Sequence, residues 1–211
     1  KNKIRAIQQD LSIRYPQSIF LSEISELDSS KLIDSIVKKI FKHKIDISLI
    51  AHGSLTNQEK SNIDITYYEK EMYINGLSAC LISEVIVSQY INQSKGKLAV
   101  IGSVAGDRGR KSNYVYGASK GMLDIYLQGL QHRFYKSNIK ICIIKPGPTK
   151  SSMTSHLNKD RVNLADIKDV AKVIITGVNK NKSIIYAPRK WYFIMKIIKL
   201  IPSFIFKKLE I

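Results

Sequence analysis

The chain has 211 residues, 44% of them hydrophobic and 24% charged, a composition that suits one globular domain with a sizeable core. The formal net charge is +17, from 34 Lys and Arg against 17 Asp and Glu, which favours anionic partners such as nucleotides, phosphorylated substrates or acidic membrane surfaces. The charge is spread along the chain, so a general enrichment in lysine accounts for it equally well. No nucleic-acid-binding motif accompanies it, and nucleic acid is not an expected partner.

The two cysteines, Cys80 and Cys142, lie in apolar stretches, which predicts buried thiols in a reducing compartment, the cytoplasm. No CxxC motif or His/Cys cluster predicts a metal site. The chain shows no signal-peptide pattern and no run of about 18 uncharged apolar residues, so a membrane span is not expected. It opens at Lys1 without methionine, which indicates either processing or a fragment.

Apolar spacing and turn residues predict the elements in chain order. A first helix carries Ile4, Ile7 and Leu11 and ends before Pro16. The later predicted helices cover residues 30–41, 66–92, 113–137 and 166–179, and the predicted strands cover residues 18–21, 46–51, 97–101, 139–145 and 183–186.

Strands that alternate with helices of ten or more residues predict βαβ units and a parallel sheet, an α/β fold of Rossmann type. In such a sheet, functional sites gather at the carboxyl ends of the strands. Residues 51–53, 102–103 and 146–147 follow three of the predicted strands, so we expect them at one edge.

Tyr116 and Lys120 form a YxxxK pair, and the i,i+4 spacing places both side chains on one helix face. An adjacent ammonium favours a phenolate, so we expect Lys120 to lower the pKa of Tyr116 and suit it to proton exchange with a substrate oxygen. Two other YxxxK matches begin at positions 186 and 192. Only Tyr116 is preceded, thirteen residues upstream, by a hydroxyl at the end of a buried strand, that of Ser103.

Together these motifs resemble the short-chain dehydrogenase/reductase family, over nearly the whole chain from Lys1 to about Pro188. Its Ser…Tyr-xxx-Lys core matches Ser103, Tyr116 and Lys120, its helix-borne Asn matches Asn75, and its Pro-Gly turn matches Pro146 and Gly147. The resemblance implies an oxidoreductase that interconverts a ketone and a secondary alcohol with NADP(H) or NAD(H). It also implies a homo-oligomer that pairs through the two long helices.

The resemblance further implies a role for each matched residue. Ser103 would hold the substrate oxygen, Tyr116 would exchange its proton, Lys120 would bind the nicotinamide ribose, and Asn75 would hold a water beside Lys120. The residues expected to contact the cofactor are Ala51, Gly53, Tyr116, Lys120, Pro146, Gly147 and Ser151.

The sequence departs from the family at its start. It has no strand followed by TGxxxGxG, the loop whose amides hold the cofactor pyrophosphate. We therefore expect that residues preceding Lys1 are missing and that strands from Ser18 onward expose unpaired edges. The alternative is a catalytically impaired remnant or a binding protein. Residues 50–53 also replace the family's Asn-Asn-Ala-Gly turn, with His52 as a turn residue near the adenosine side of the cofactor.

Residues 103–120 resemble more narrowly the decaprenylphosphoryl 2-keto-arabinose reductases, which act with a flavin oxidase partner on a polyprenyl-phosphate sugar. Arg108, Arg110 and Lys111 would then form a cationic rim for a substrate phosphate, or else a solvated basic loop. Residues 189–211, separate from the domain at 1–188, read as a basic amphipathic tail. The tail would lie on the inner face of the cytoplasmic membrane, or pack on the domain or a partner subunit.

Overall fold

The computed structural model describes residues 2–154 and 164–209. Its α-helices are α1 (Asn2–Arg14), α2 (Ser30–Ile40), α3 (Gln58–Ile63), α4 (Ile65–Met72), α5 (Ser78–Gln93), α6 (Tyr114–Arg133), α7 (Ile167–Asn179), α8 (Lys190–Leu200) and α9 (Ser203–Phe206). Its strands are β1 (Ile47–Ile50), β2 (Gly96–Ile101), β3 (Ile139–Pro146) and β4 (Ile184–Ala187). A π-helical turn (Tyr73–Leu77) joins α4 to α5, and 3-10 turns cover Val104–Asp107 and Ser152–Thr154.

The four strands form one parallel sheet in the order β1-β2-β3-β4, which confirms the predicted Rossmann-type fold. The two central strands are almost continuously apolar because helices cover both of their faces. Leu98 and Val100 of β2 join the larger core cluster with α2, α5 and α6, whereas Ala99 joins a second cluster with α7. This alternation is the period of two expected of a strand buried on both sides.

Both cysteines are free and buried, as the apolar stretches around them predict. Cys80 faces the larger cluster and Cys142 the smaller one. Burial raises the pKa of Cys80 to about 11 and that of Cys142 to about 12. Neither thiol is therefore ionised at neutral pH, and both act as small apolar side chains.

The strand predicted at residues 18–21 is wrong. These residues adopt no regular structure, and Ile19 and Leu21 are 90% and 72% exposed. A strand needs a neighbour for its backbone groups, and β1 forms the edge of the sheet among the described residues. As expected, that edge is open, with Ile47 and Leu49 about half exposed.

The predicted helix at residues 66–92 is interrupted. Asp64 caps α4, so the helix begins earlier, and the π turn at Tyr73–Leu77 adds one residue to the repeat before α5. The 29-residue run Ile65–Gln93 is long and apolar enough to cross a membrane by length and composition, but 56% of its most apolar window is buried within the fold. It packs against α2 and α6, which is the environment of a core helix.

Gly76 in the π turn allows this run to approach α6 closely. A Cβ at Gly76 would lie 2.8 Å from the Ser119 carbonyl oxygen, which is backbone and cannot move aside. We expect Gly76→Ala to reduce the free energy of unfolding by about 1–3 kcal/mol, measured by urea denaturation. Gly129→Ala, in α6 with nothing within 4 Å, is the matched control and should leave stability unchanged or raise it. Equal effects of the two variants would contradict the close packing.

Residues 190–209, expected as a separate tail, pack on the rest of the fold. Met195 of α8 is fully buried, and the Trp191 indole lies against Gly147 so closely that a Cβ there would overlap it. Arg108 donates to the carbonyl oxygens of Ile198 and Ile201 at 2.5 and 2.7 Å, at the end of α8 where carbonyls have lost their i+4 amide partners. The segment is thus attached both to the sheet and to the loop after β2.

Candidate active site

The polar residues of interest follow the carboxyl ends of β1, β2 and β3. Because the strands are parallel and in register, these ends lie at the same edge of the sheet. The loop after β1 carries Gly53, the turn after β2 begins at Ser103, and β3 ends at Pro146. Tyr116 and Lys120 come from the first turns of α6, and Asn75 from the π turn.

Ser103 is held by the turn that it starts. It is extended and its Oγ accepts a hydrogen bond of 3.1 Å from the Ala105 amide, capping the 3-10 turn Val104–Asp107. The Ser103 hydroxyl also lies near enough to the Tyr116 phenol to lower its pKa by hydrogen bonding. A hydroxyl is both donor and acceptor, so the capping role leaves the proton available for a second partner.

Glycines bring this turn onto the backbone of α6. A Cβ at Gly106 would lie 2.8 Å from the Lys120 carbonyl carbon, and one at Gly117 would lie 3.0 Å from the Ala105 oxygen. Any other residue at Gly106 would separate the turn from the helix, because its Cβ would meet backbone atoms. The contact between Ser103 and Tyr116 is therefore set by backbone packing.

The pKa of Tyr116 is raised above its ordinary value because burial of the phenol outweighs the hydrogen bond from Ser103, which favours the phenolate. This differs from the expected net lowering by Lys120. The Lys120 Nζ lies 5.8 Å from the centre of the Tyr116 ring and donates to the Ile101 carbonyl oxygen at 3.3 Å. At neutral pH the phenol therefore keeps its proton, the form that a general acid requires.

Lys120 is 4% exposed, and burial lowers its pKa from 10.5 to about 8. The cost of keeping its charge buried is present in full below pH 8 and vanishes above pH 10.5, where folded and unfolded chains are both neutral at this site. Lys120 therefore lowers stability at neutral pH.

We expect Lys120→Met to gain stability over the wild type at pH 7. The gain in the free energy of unfolding should be about 2 kcal/mol larger at pH 7 than at pH 10. The measurement is the free energy of unfolding in urea at both pH values. Lys136→Met, at an exposed position, is the control, and its difference from the wild type should not depend on pH. A pH-independent difference for Lys120→Met as well would contradict the lowered pKa.

Asn75 is fully buried in the π turn, and both ends of its amide have protein partners. Its Oδ1 accepts from the Ser54 backbone amide at 2.9 Å, and its Nδ2 donates to the Glu71 carboxylate at 3.2 Å. Glu71, 5% exposed, also accepts from the hydroxyls of Ser54 and Thr56, each at 2.8 Å. This buried carboxylate fixes the amide orientation and ties Asn75 to the loop after β1.

Gly53 forms an open cradle above these groups. Its φ is +154°, and a Cβ there would lie 3.0 Å from Asn75 Oδ1 and 3.6 Å from Lys120 Nζ. A side chain at position 53 would contact the lysine, so glycine leaves the position next to the ammonium unfilled. Ala51 and Gly53 are both exposed in this loop.

His52, between them, contacts the Ser78 hydroxyl at 2.8 Å through Nε2. The Ser78 proton is directed to the Ile74 carbonyl oxygen at 3.1 Å, which makes His52 Nε2 the donor to Ser78. Burial, and secondarily the charge of Lys120, lowers the pKa of His52. A neutral imidazole in this position acts as a turn residue, as expected.

The Pro146-Gly147 turn ends β3 at the same edge, and Gly147 is buried beneath Trp191. Ser151 follows in the next loop, where its backbone amide donates to the Thr154 hydroxyl at 3.1 Å. Of the residues expected to contact a cofactor, Ala51, Gly53 and Lys120 thus lie around one opening, whereas Gly147 is covered by α8.

The basic residues expected at the rim divide into two groups. Arg108 is engaged by the C-terminal segment, since its guanidinium binds carbonyls of α8 and lies 3.9 Å from the centre of the Phe206 ring. Arg110 is partly buried near Asp107, and its Nε has no hydrogen-bond partner. Lys111 is exposed. The binding of a substrate phosphate by these residues therefore stays a prediction. The atom that could serve it is Arg110 Nε, a buried hydrogen-bond donor without a protein partner.

Sequence reasoning missed a buried ionic cluster beside Ser103. Lys145, in β3, donates to Asp107 at 2.6 Å and to Asp124 at 2.8 Å, and the Tyr186 hydroxyl donates to Asp107 at 2.7 Å. Asp107 ends the 3-10 turn that Ser103 begins. The signal that could have found the cluster is a lysine that directly follows the apolar run at residues 141–144 of a central strand, because a buried ammonium requires acidic partners.

The family model described as short chain dehydrogenase matches residues 19–162. Among curated proteins, the chain is 24% identical over 170 residues to an uncharacterized oxidoreductase in the mprA 5′ region of Streptomyces coelicolor, covering 79% of this chain and 66% of that one. It is 23% identical over 165 residues to an uncharacterized oxidoreductase of Mycobacterium tuberculosis, with 78% and 66% coverage. The match thus spans about two thirds of each relative's length.

Solved structures share the fold. A short-chain dehydrogenase from Burkholderia cenocepacia in complex with NADP superposes with a TM-score of 0.76 at 11% identity, covering 89% of this chain and 77% of that one. The bulky-bulky ketone specific alcohol dehydrogenase from Comamonas testosteroni gives 0.76 at 14% identity, with 96% and 82% coverage.

Proposed function

Because the chain belongs to the short-chain dehydrogenase family, we propose that it is an oxidoreductase that interconverts a ketone and a secondary alcohol with NADP(H) or NAD(H). The observation that carries this proposal is the contact between Ser103 and Tyr116 at the carboxyl edge of the sheet, with Lys120 four residues along the same helix face. Oxidoreductase relatives and the NADP complex of a structural neighbour support it.

In the proposed reduction, Ser103 donates a hydrogen bond to the substrate carbonyl oxygen and holds it beside the Tyr116 hydroxyl. Tyr116 donates its proton to that oxygen as negative charge develops there. Lys120, charged and close by, would bind the ribose hydroxyls. When bound, a nicotinamide supplies or accepts hydride at the substrate carbon.

The cradle at Gly53 fits a cofactor of this kind. A side chain at position 53 would crowd Asn75 Oδ1 and the Lys120 ammonium, so glycine keeps free the position from which a ribose would reach the ammonium. Asn75 positions the loop after β1 through its Oδ1, which accepts from the Ser54 amide and has a second lone pair that a water between Asn75 and Lys120 would use.

A second candidate is a remnant or binding protein with weak cofactor affinity, favoured by the cover that Trp191 places over Gly147, a residue expected to contact the cofactor. Titration of the chain with NADPH and NADH, followed by nucleotide fluorescence, distinguishes the two. Saturable binding in the micromolar range, with turnover of a panel of ketones, is expected for the enzyme. No saturation up to millimolar nucleotide would leave only the second candidate.

The finer substrate proposal is a sugar or a polyprenyl-phosphate sugar, with a flavin oxidase as the enzyme that supplies its keto form. It is supported by the pattern of residues 103–120 and by Arg110 and Lys111 downstream of Ser103. We also propose that the chain forms a homo-oligomer whose subunits pair through α5 and α6. Its proposed location is the cytoplasm. Faster reduction of phosphorylated than of unphosphorylated keto sugars would support the substrate proposal, and no preference would contradict it.

A further inference from the structure

Helix α8 has two apolar faces that meet different surroundings. Trp191 and Met195 point into the fold, where Met195 is fully buried. On the other side Phe193, Ile197 and Leu200, spaced i, i+4 and i+7, are 66%, 66% and 74% exposed. Packing on the domain explains the buried apolar side of a helix. It does not explain the exposed apolar stripe, which therefore indicates a binding partner outside the domain.

Phe204, 71% exposed in α9, adds to this stripe. We call the four side chains Phe193, Ile197, Leu200 and Phe204 the α8–α9 face. Residues 189–209 include six basic residues and no acidic one, namely Arg189, Lys190, Lys196, Lys199, Lys207 and Lys208. The side chains of these lysines are exposed, so a dense positive charge borders the apolar stripe.

A cavity of about 490 Å³ opens beside the same face, between α7, β4 and the start of α8. Its lining includes three cationic side chains, Lys180, Lys182 and Arg189, together with Tyr192 and Phe193. Phe193 belongs both to the cavity and to the α8–α9 face. The cavity is thus cationic where it approaches the exposed apolar stripe, a combination that matches a phosphate group attached to a hydrocarbon chain.

We propose that the α8–α9 face docks on an anionic phospholipid bilayer. The apolar side chains enter the boundary between headgroups and acyl chains, the lysines lie at the level of the phosphates, and the cavity takes one lipid headgroup. Burial of apolar area and attraction to anionic lipid act together in such helices. Neither contribution alone gives firm attachment.

A second copy of the chain fits the face less well. A two-fold interface would place the same surface opposite itself, so six basic residues of one subunit would face six of the other with no acidic partner. Like charges brought together in this way oppose association. A bilayer of acidic lipid supplies the opposite charge.

Docking here would set the active site beside the membrane. Arg108 fastens the end of α8 to the loop that begins at Ser103, and Tyr186, which lines the cavity, donates to Asp107 in the same loop. This placement rests on the proposed function, but lipid binding does not, since it needs neither cofactor nor substrate.

Cosedimentation with vesicles tests the docking. The protein should bind vesicles of equal parts phosphatidylcholine and phosphatidylglycerol, and should not bind phosphatidylcholine alone. Ile197→Ser/Leu200→Ser should weaken binding by about fivefold, because two side chains lose their apolar contact. The control Ile63→Ser/Ile65→Ser removes two other exposed isoleucines, 88% and 77% exposed, and should leave binding unchanged. Equal losses in the two pairs, or none, would overturn the proposal.

A second pair of variants tests the cavity. Lys180→Gln/Lys182→Gln should weaken binding by about tenfold, and Lys31→Gln/Lys136→Gln, which removes the same charge elsewhere, by much less. Equal losses would mean that the overall charge of the chain drives binding and would overturn the cavity assignment. Sedimentation equilibrium tests whether a second copy of the chain covers the face instead. Ile197→Ser/Leu200→Ser should have the same mass in solution as the wild type, and a dimer lost in this variant would overturn the proposal. All of these measurements are made without nucleotide, so they succeed or fail independently of catalysis.

Discussion

Replacing Tyr116 by Phe is expected to lower kcat by about a thousandfold while leaving KM within about threefold, because the change removes the proton donor and keeps the ring. Phe retains the volume that packs in α6, and the backbone contact between Gly106 and Lys120 does not involve the phenol. The measurement is steady-state ketone reduction at saturating NADPH, together with the far-UV spectrum and thermal unfolding of the variant.

Tyr135→Phe is the matched control, because Tyr135 is 78% exposed just beyond the end of the same helix. Its kcat should equal that of the wild type. Ser103→Ala should lose less activity than Tyr116→Phe, since the tyrosine still donates its proton to a less well-positioned oxygen. Unchanged turnover in Tyr116→Phe would remove this residue from the mechanism and leave the glycine-packed turn without a chemical role.

Replacing Lys145 by Met is expected to have the largest effect on stability. The Lys145 side chain is 4% exposed, and those of its partners Asp107 and Asp124 are 0% and 12% exposed. Removing the ammonium leaves two carboxylates buried without their counter-charge, which typically costs about 3–5 kcal/mol. For a chain of this size that corresponds to a fall in Tm of about 10 °C.

Lys38→Met provides the comparison. Lys38 pairs with Asp34 at 2.8 Å across the surface of α2, with both side chains about half exposed, and its loss should cost less than about 1 kcal/mol. Adding Asp107→Asn to Lys145→Met should recover part of the lost stability, because it removes one of the two unpaired charges. A loss for Lys145→Met no larger than that for Lys38→Met would show that the cluster is not held in a buried setting.

The order of elements and the parallel sheet were predictable from local periodicity. The strands β2 and β3 are largely apolar runs bounded by turn residues, and α2 follows the apolar spacing of the predicted helix at residues 30–41. The strand expected at residues 18–21 failed for a different reason. A strand is stable only where a neighbour pairs with it, and periodicity within one segment contains no information about neighbours.

The candidate site shows the same division. Ser103, Tyr116 and Lys120 could be placed together because the serine follows a strand and the other two share a helix face, whereas Asn75 was implied only by the family resemblance. Glu71 and the cluster around Lys145 could not be found in this way. Lys145 and Asp107 are 38 residues apart in the chain, and only the folded sheet brings them within hydrogen-bonding distance.

The contact of Gly106 with α6 allows the choice of substrate to change while the positions of the reacting groups stay the same. The positions of the serine and the tyrosine are set by main-chain atoms, so exposed side chains of α8 such as Phe193 and Ile197 can be exchanged without displacing the reacting groups. Selection can therefore alter which molecules enter while the chemistry stays intact. Libraries that vary those outer positions and spare the three glycines 106, 117 and 121 should keep a large share of active members.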